Sequence, residues 1–219
     1  MTHNLTDILR LVLVTDDVLV RGRDLVALCC AAERGGVTAV QLRLKEATAR
    51  DLAAAARALK SVLTVPLFIN DRLDVAVAAG AAGAHLGPDD LPLLLARRAA
   101  PPGFLIGASV GSSGDAVEAQ SADYWGIGPL HATASKSDAG VPLDVNGFAR
   151  LARLAPSDLP CIAIGGVLPQ DVASIREAGG TGVAVIRGIL ASQSVEEMAR
   201  AYAVAGQMRR RAVDRRSGR

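Results

Sequence analysis

Short, unbroken apolar runs recur eight times along the chain, at 11–15, 39–43, 67–70, 83–86, 105–109, 124–128, 161–165 and 182–186. Most end in a polar or Gly-bearing turn. Runs of this length without polar alternation suit strands covered on both faces, as in parallel sheets. Between them the apolar positions return every three to four residues, and helices are expected over 23–34, 48–63, 73–79, 91–99, 114–120, 145–154, 169–178 and 195–211. The first helix stops at Gly35-Gly36, a C-terminal signal. Pro169 suits the first turn of its helix. Strands alternating with helices mean βα units. Eight such units within about 200 residues favour a closed (β/α)8 TIM barrel of class α/β over an open doubly wound sheet. The Gly-x-Gly-x-x-Gly fingerprint of a dinucleotide fold is absent after the first run. No linker divides the chain, so one barrel domain over 1–219 is expected, with a basic tail from about 209.

In such a barrel the C-terminal strand ends hold the chemistry. After the second run, Gln41, Arg43 and Lys45 alternate with Leu42 and Leu44, which places the three polar side chains on one face. They line the mouth of the barrel, or the strand frays there into a solvated turn. Asn70-Asp71-Arg72 ends the third run and Gly87-Pro88-Asp89-Asp90 ends the fourth. Each group alone reads as a helix cap. Together, Asp71 and Asp90 could hold one hard cation, with water and phosphate supplying the other oxygens, which is how Mg²⁺ meets diphosphates. Gly165-Gly166 is either a tight turn or an amide cradle for phosphate, and Arg187 follows the eighth run at the same end. The polar connection 129–144, with Lys136 in its middle, is longer than a structural turn requires. His85 reads as a strand-end packing or hydrogen-bonding residue and His131 as a loop residue. No Ser-His-Asp or Cys-His pair stands out.

Composition narrows the options. No apolar run approaches the roughly 18 residues of a membrane span, and the first ten residues lack the order of a signal peptide. A cytoplasmic protein without a membrane partner is the expectation. Net charge is +2. The arginines at 209–211, 215, 216 and 219 have no interleaved aromatics, so no nucleic-acid partner is expected. Cys29, Cys30 and Cys161 have no metal-ligand spacing, and Cys161 reads as a small buried hydrophobe. Of 24 Lys and Arg, three are lysines (Lys45, Lys60 and Lys136) and 21 are arginines. Lysine is a compact point charge and arginine a rigid fork, so the few lysines mark places where the fork does not serve.

Gln41-Leu-Arg43-Leu-Lys45, Ile69-Asn70-Asp71-Arg72, His85-Leu-Gly87-Pro-Asp-Asp90, Gly128-Pro129 with Thr133-Ala-Ser135-Lys136, and Ala163-Ile-Gly165-Gly166 follow one another at strand ends. In order and spacing they resemble the thiamine phosphate synthase family over roughly residues 11 to 190. The resemblance implies a transferase that condenses a hydroxymethylpyrimidine diphosphate with a thiazole phosphate, with Mg²⁺ as cofactor. It implies that Gln41, Arg43 and Lys45 hold the pyrimidine diphosphate, that Asn70 meets the pyrimidine, and that Asp71 and Asp90 bind the metal. Ser109 and Lys136 would assist the diphosphate. Thr133, Ser135, Gly166, Ile186 and Arg187 would meet the thiazole phosphate. It also makes a homodimer plausible. Three positions depart from the family pattern: Ser109-Val-Gly lacks a nearby His, Ser135 stands where Thr is usual, and Arg187 where Ser is common. The rival readings are a thiazole tautomerase on a similar barrel, which tends to lose the pyrimidine and metal residues and relies on a His, a Schiff-base aldolase, and a non-catalytic phosphate-binding barrel. A Schiff-base lysine wants apolar surroundings, and neither Lys45 nor Lys136 has them in sequence.

Overall fold

A computed structural model of the protein describes residues 4–133 and 140–207. Eight strands, β1 (Leu11–Val14), β2 (Ala39–Leu42), β3 (Leu67–Asn70), β4 (Gly83–Leu86), β5 (Leu105–Val110), β6 (Tyr124–Ile127), β7 (Cys161–Ala163) and β8 (Gly182–Val185), form a closed barrel in sequence order. Every pairing is parallel, and β8 returns to β1 with Val183 opposite Leu11 and Val185 opposite Leu13. The (β/α)8 architecture expected from the apolar runs is the one observed.

Alternation along each strand separates two cores. Leu11, Leu13, Val40, Leu42, Ile69, Leu86, Ile106, Trp125, Ile127, Val183 and Val185 belong to the layer between barrel and helices. Val12, Val14, Ala39, Phe68, Tyr124, Ile162 and Ala184 form a second cluster together with Ile8 and Leu9. That second cluster is the filling of the barrel, with Ile8 and Leu9 reaching it from the chain segment before β1. Large and small residues share the space. A Cβ on Gly107 would overlap the Tyr124 ring, and one on Gly83 would meet the Phe68 ring. Phe68 and Tyr124 pack edge to face with ring centroids 5.8 Å apart.

The helices around the barrel start where their caps allow. Asp24 accepts from Ala27 N at Leu25–Arg34, Thr48 accepts from Asp51 N at Ala49–Lys60, and Ser112 with Asp115 forms a capping box at Ser113–Glu118. Several boundaries differ from expectation. Pro169 is not in the first turn of a helix: the helix is Asp171–Glu177, and the Asp171 side chain accepts from Leu168 N across the turn that contains Pro169. Nor does Asn70, Asp71 or Asp90 cap a helix. Arg72 and Pro92 hold the N-cap positions of Leu73–Ala78 and Leu93–Ala99, neither with a side-chain cap bond. Three short helices, Leu5–Ile8, Asp17–Val20 and Arg187–Leu190, carry too few residues to leave a periodic pattern. The last helix is Val195–Gln207, and the basic tail lies outside the described residues. Among the described residues no helix is long and apolar enough to cross a membrane. Cys161 is buried as expected, and burial pushes the thiols of Cys29 and Cys161 up to about 12.

The barrel filling leaves no room for an added methyl group at Gly107. Gly107→Ala should lower stability by about 1–3 kcal/mol, the usual cost of overpacking, read as a lower urea midpoint at unchanged slope.

Candidate active site

At the C-terminal end the barrel filling turns polar and opens into a cavity of 390 Å³. Its walls come from the ends of β1 to β8 and the loops that follow. Gln41, Arg43, Lys45, Asn70, Asp71, Asp90, Ser109, Thr133 and Ile186, nine of the residues singled out in the sequence, all line it. Gly165 lines it and Gly166 does not; the inner residue of that pair is the one before the position expected. Arg187 does not line it either, because it opens the helix Arg187–Leu190. Ser135 and Lys136 lie outside the described residues.

One wall is built on β2 and β3. Gln41 is buried and its amide donates to Asn70 Oδ1 at 2.6 Å, so two polar side chains that share the lumen satisfy each other there. Arg43 lies just beyond β2, held by a reciprocal pair of bonds with Thr15: Arg43 N donates to Thr15 Oγ1 at 2.8 Å, and that hydroxyl donates to Arg43 O at 3.0 Å. Its guanidinium Nη1 reaches Asp16 Oδ2 at 3.4 Å, with both side chains almost buried. The turn that carries Lys45 is pinned by Asp17, which accepts from Lys45 N at 2.8 Å and Glu46 N at 3.2 Å. Lys45 Nζ lies 3.7 Å from Asp71 Oδ2.

Asp16 and Asp17 were not singled out in the sequence. Asp16 also caps Asp17–Val20 by accepting from Val18 N and Leu19 N. Locally it looks like a helix start, and only β1–β2 pairing brings it beside Arg43. Its signal was available in the rule already applied elsewhere, a polar group directly after a barrel strand.

Asp71 is held in the left-handed region with φ of 63°, and its N–H donates to His85 O at 2.9 Å. Asp90 closes its own turn by accepting from Gly87 N at 2.6 Å. The two carboxyls meet. Burial, then the Asp90 charge and a hydrogen bond between the two side chains, push Asp71 up from 3.8 to about 6; Lys45 and Arg43 pull the other way. Two carboxyls this close disfavour the state in which both are ionised. Among the described residues no group of three or more His, Cys, Asp or Glu could hold a metal ion, so a cation at this wall would have at most the two carboxylates as protein ligands. An ion held by two carboxylates keeps open positions for water or phosphate oxygen.

The opposite wall comes from β6 and β7. Gly165 has φ of 87°, and a Cβ there would come 2.7 Å from Pro129 Cα. Glycine is required for both reasons. The close approach lets the β6 loop bond to the β7 end: Leu130 N donates to Ile164 O at 2.8 Å and His131 N to Gly165 O at 2.9 Å. Leu143 N to Pro129 O and Asp144 N to Leu130 O tie the two ends of the long connection together. His131, a loop residue as expected, bonds Asp171 Oδ2 at 2.9 Å. At the centre of the floor, His85 Nε2 lies 3.0 Å from Ser109 Oγ and Nδ1 lies 3.1 Å from Tyr124 Oη. His85 is the hydrogen-bonding strand residue that was expected, and it also lines the cavity.

Residues 11–189 match the family model described as thiamine monophosphate synthase. A thiamine-phosphate synthase of Methanoculleus marisnigri is 46% identical over 196 residues, covering 87% of this chain and 92% of that protein. One of Azorhizobium caulinodans is 45% identical over 198 residues, covering 88% and 92%. Among solved structures, the thiamine phosphate pyrophosphorylase from Pyrococcus furiosus superposes with a TM-score of 0.83 at 30% identity, over 94% of this chain and 98% of that one. The matched region contains all eight strands and the cavity they surround, and the chain belongs to the thiamine monophosphate synthase family, alkyltransferases that make thiamine phosphate.

Proposed function

We propose that the cavity joins 4-amino-2-methyl-5-hydroxymethylpyrimidine diphosphate to 4-methyl-5-(2-hydroxyethyl)thiazole phosphate, releasing thiamine phosphate and diphosphate with Mg²⁺ as cofactor. One observation carries the reading: the Asp71–Asp90 carboxyl pair shares one wall with the Lys45 ammonium and the Arg43 guanidinium. Two carboxylates flanked by two cations suit a metal-bound diphosphate better than either ion alone.

Asp71 and Asp90 would hold Mg²⁺, which supplies neutralisation of the charge that develops on the departing diphosphate. Arg43 and Lys45 bind the diphosphate oxygens directly, and Ser109 donates to them. The Gln41–Asn70 pair recognises the aminopyrimidine edge. The C–O bond to diphosphate breaks, the ring donates electron density to the exposed methylene, and the thiazole nitrogen forms the new C–N bond. The diphosphate leaves with the bonding electron pair. Nothing in this sequence calls for a covalent nucleophile on the enzyme, and the side chains around the cavity fit a role in positioning and charge. Thr133, Ile186 and the Gly165-Gly166 turn would seat the thiazole phosphate, with Arg187 as its outer cation. Lys136 and Ser135 keep the roles implied by the resemblance, on the diphosphate and the thiazole phosphate.

Purified protein given both substrates and Mg²⁺ should release thiamine phosphate and diphosphate, and EDTA should stop it. A folded protein that forms no product overturns the reading. Asp71→Ala and Asp90→Ala should each reduce kcat/KM at least about a hundredfold at saturating thiazole phosphate, the loss of several kcal/mol of charge stabilisation. Near-normal turnover in either would refute the metal assignment. Lys136→Ala should lower kcat more than it raises the thiazole phosphate KM.

The raised Asp71 pKa also affects stability. The folded value, about 6, lies above the ordinary 3.8, so ionised Asp71 costs stability above pH 6 and costs nothing below pH 4. In EDTA at pH 7.5, Asp71→Asn should therefore be more stable than the parent by on the order of 1–2 kcal/mol. The gain should fade as pH falls from 6 to 4. Thermal melts across that range check both the sign and the window.

A further inference from the structure

The row of polar groups at the floor of the cavity extends below it. Tyr124 Oη, His85 Nδ1, His85 Nε2 and Ser109 Oγ follow one another at 3.1 Å and 3.0 Å across the ring, from the apolar filling of the barrel to the cavity surface. Only Ser109 and His85 line the cavity; Tyr124 is buried beneath it. The imidazole can give and accept one bond along this line in two opposite senses, and the sense decides what Ser109 offers to a ligand.

The lower end selects the sense. The Tyr124 ring is clamped edge to face against Phe68 and fills the space beside Gly107, so its hydroxyl cannot turn out to water. Burial, then the Asp123 charge, push its pKa up, and the phenol keeps its proton. Asp123 itself is engaged elsewhere, accepting from Arg97 Nη2 and Ile106 N, each at 2.6 Å. A buried O–H without an acceptor is costly, and among the described residues the hydrogen-bond partner of Tyr124 Oη is His85 Nδ1. The ring proton then sits on Nε2 and is donated to Ser109 Oγ. With a lone pair engaged from below, the serine hydroxyl directs its own proton upward. In the opposite sense Ser109 would spend its proton on His85, and would turn only lone pairs toward an anion. The imidazole is itself seated by packing, with its Cε1 3.0 Å from where a Cβ on Gly126 would stand.

We propose that Tyr124 and His85 are positioning residues for Ser109, a relay Tyr124 Oη–H to Nδ1, Nε2–H to Oγ, that holds the serine proton pointed at the diphosphate. The last clause rests on the function proposed above. The tautomer itself does not, and the two can fail separately. A donor fixed before the ligand arrives needs no reorganisation when charge develops on the leaving group.

The test combines spectroscopy with binding. The chain has three histidines, His3, His85 and His131, so the ¹⁵N-imidazole signals of His85 are identified by their loss in His85→Gln. The wild-type ring should show its proton on Nε2, and Tyr124→Phe should shift it toward Nδ1. Inorganic diphosphate with Mg²⁺ is the binding probe. Tyr124→Phe, which keeps the packed ring, should weaken its binding about tenfold, and Ser109→Ala by a similar factor. Tyr124→Phe combined with Ser109→Ala should bind no more weakly than Ser109→Ala alone, because both remove the same donor. His85→Gln, whose amide N–H can reach the serine, should stay within about threefold of wild type, while His85→Leu should not. A proton on Nδ1 in the wild type, or fully additive losses in the double variant, would overturn the relay. Correct tautomer and coupling in a protein that makes no product would instead refute the reaction and leave the relay standing.

Discussion

Barrel closure is the constraint on which the rest of this protein depends. The polar groups of the cavity come from strands far apart in sequence, and they converge because β8 pairs back onto β1 and the sheet has no edge. Closure requires a filled lumen. Phe68, Tyr124, Val12, Ile162 and Ala184 supply that filling, with glycines wherever a ring needs the space. The filling sets the depth at which the lumen changes character. Above it, Gln41, Asn70, His85 and Ser109 replace apolar side chains; Gln41 bonds Asn70 within that layer, and His85 bonds Ser109 within it and Tyr124 in the filling below.

On this floor the electrostatics are arranged against stability. Asp71 and Asp90 meet where burial already disfavours charge, and Asp71 adopts a positive φ that most side chains avoid. Lys45 and Arg43 compensate only in part, since Asp71 remains shifted upward. Arg43 is in turn held by Asp16 and Thr15, and the Lys45 turn by Asp17. The first loop of the barrel thus serves as a support for the second. Such a concentration of strain and like charge is stable only because a rigid scaffold imposes it. The β6 and β7 loops make the other wall by a different device, backbone bonds across a glycine that permits close approach.

Much of this was legible from the chain alone. Apolar runs of strand length at regular intervals have few solutions other than a parallel sheet, and eight of them in this length favour closure, which the pairing of β8 with β1 then shows. The period-two spacing of Gln41, Arg43 and Lys45 placed them on one face without knowledge of the barrel radius. Asp71 and Asp90 were readable as a pair because each follows a neighbouring strand, although a local rule makes each a helix cap; pairing of β3 with β4 settled the matter against the cap. Local rules failed at Pro169, where the helix starts at Asp171 and the Asp171 carboxylate accepts from Leu168 N across the turn that holds the proline.

What the sequence determined by itself, then, was the order of strands and helices and the identity of most groups at the strand ends, because both follow from short-range periodicity and from the position of a residue within its own βα unit. Tertiary structure decided which of those groups touch. That Asp16 holds Arg43, that Gly165 rather than Gly166 lines the cavity, that Arg187 opens a helix and does not line it, and that Tyr124 reaches Ser109 through His85 all depend on register between strands and on the volume left inside the closed barrel. Neither quantity is a property of any local stretch of chain; each is set by all eight strands packing at once.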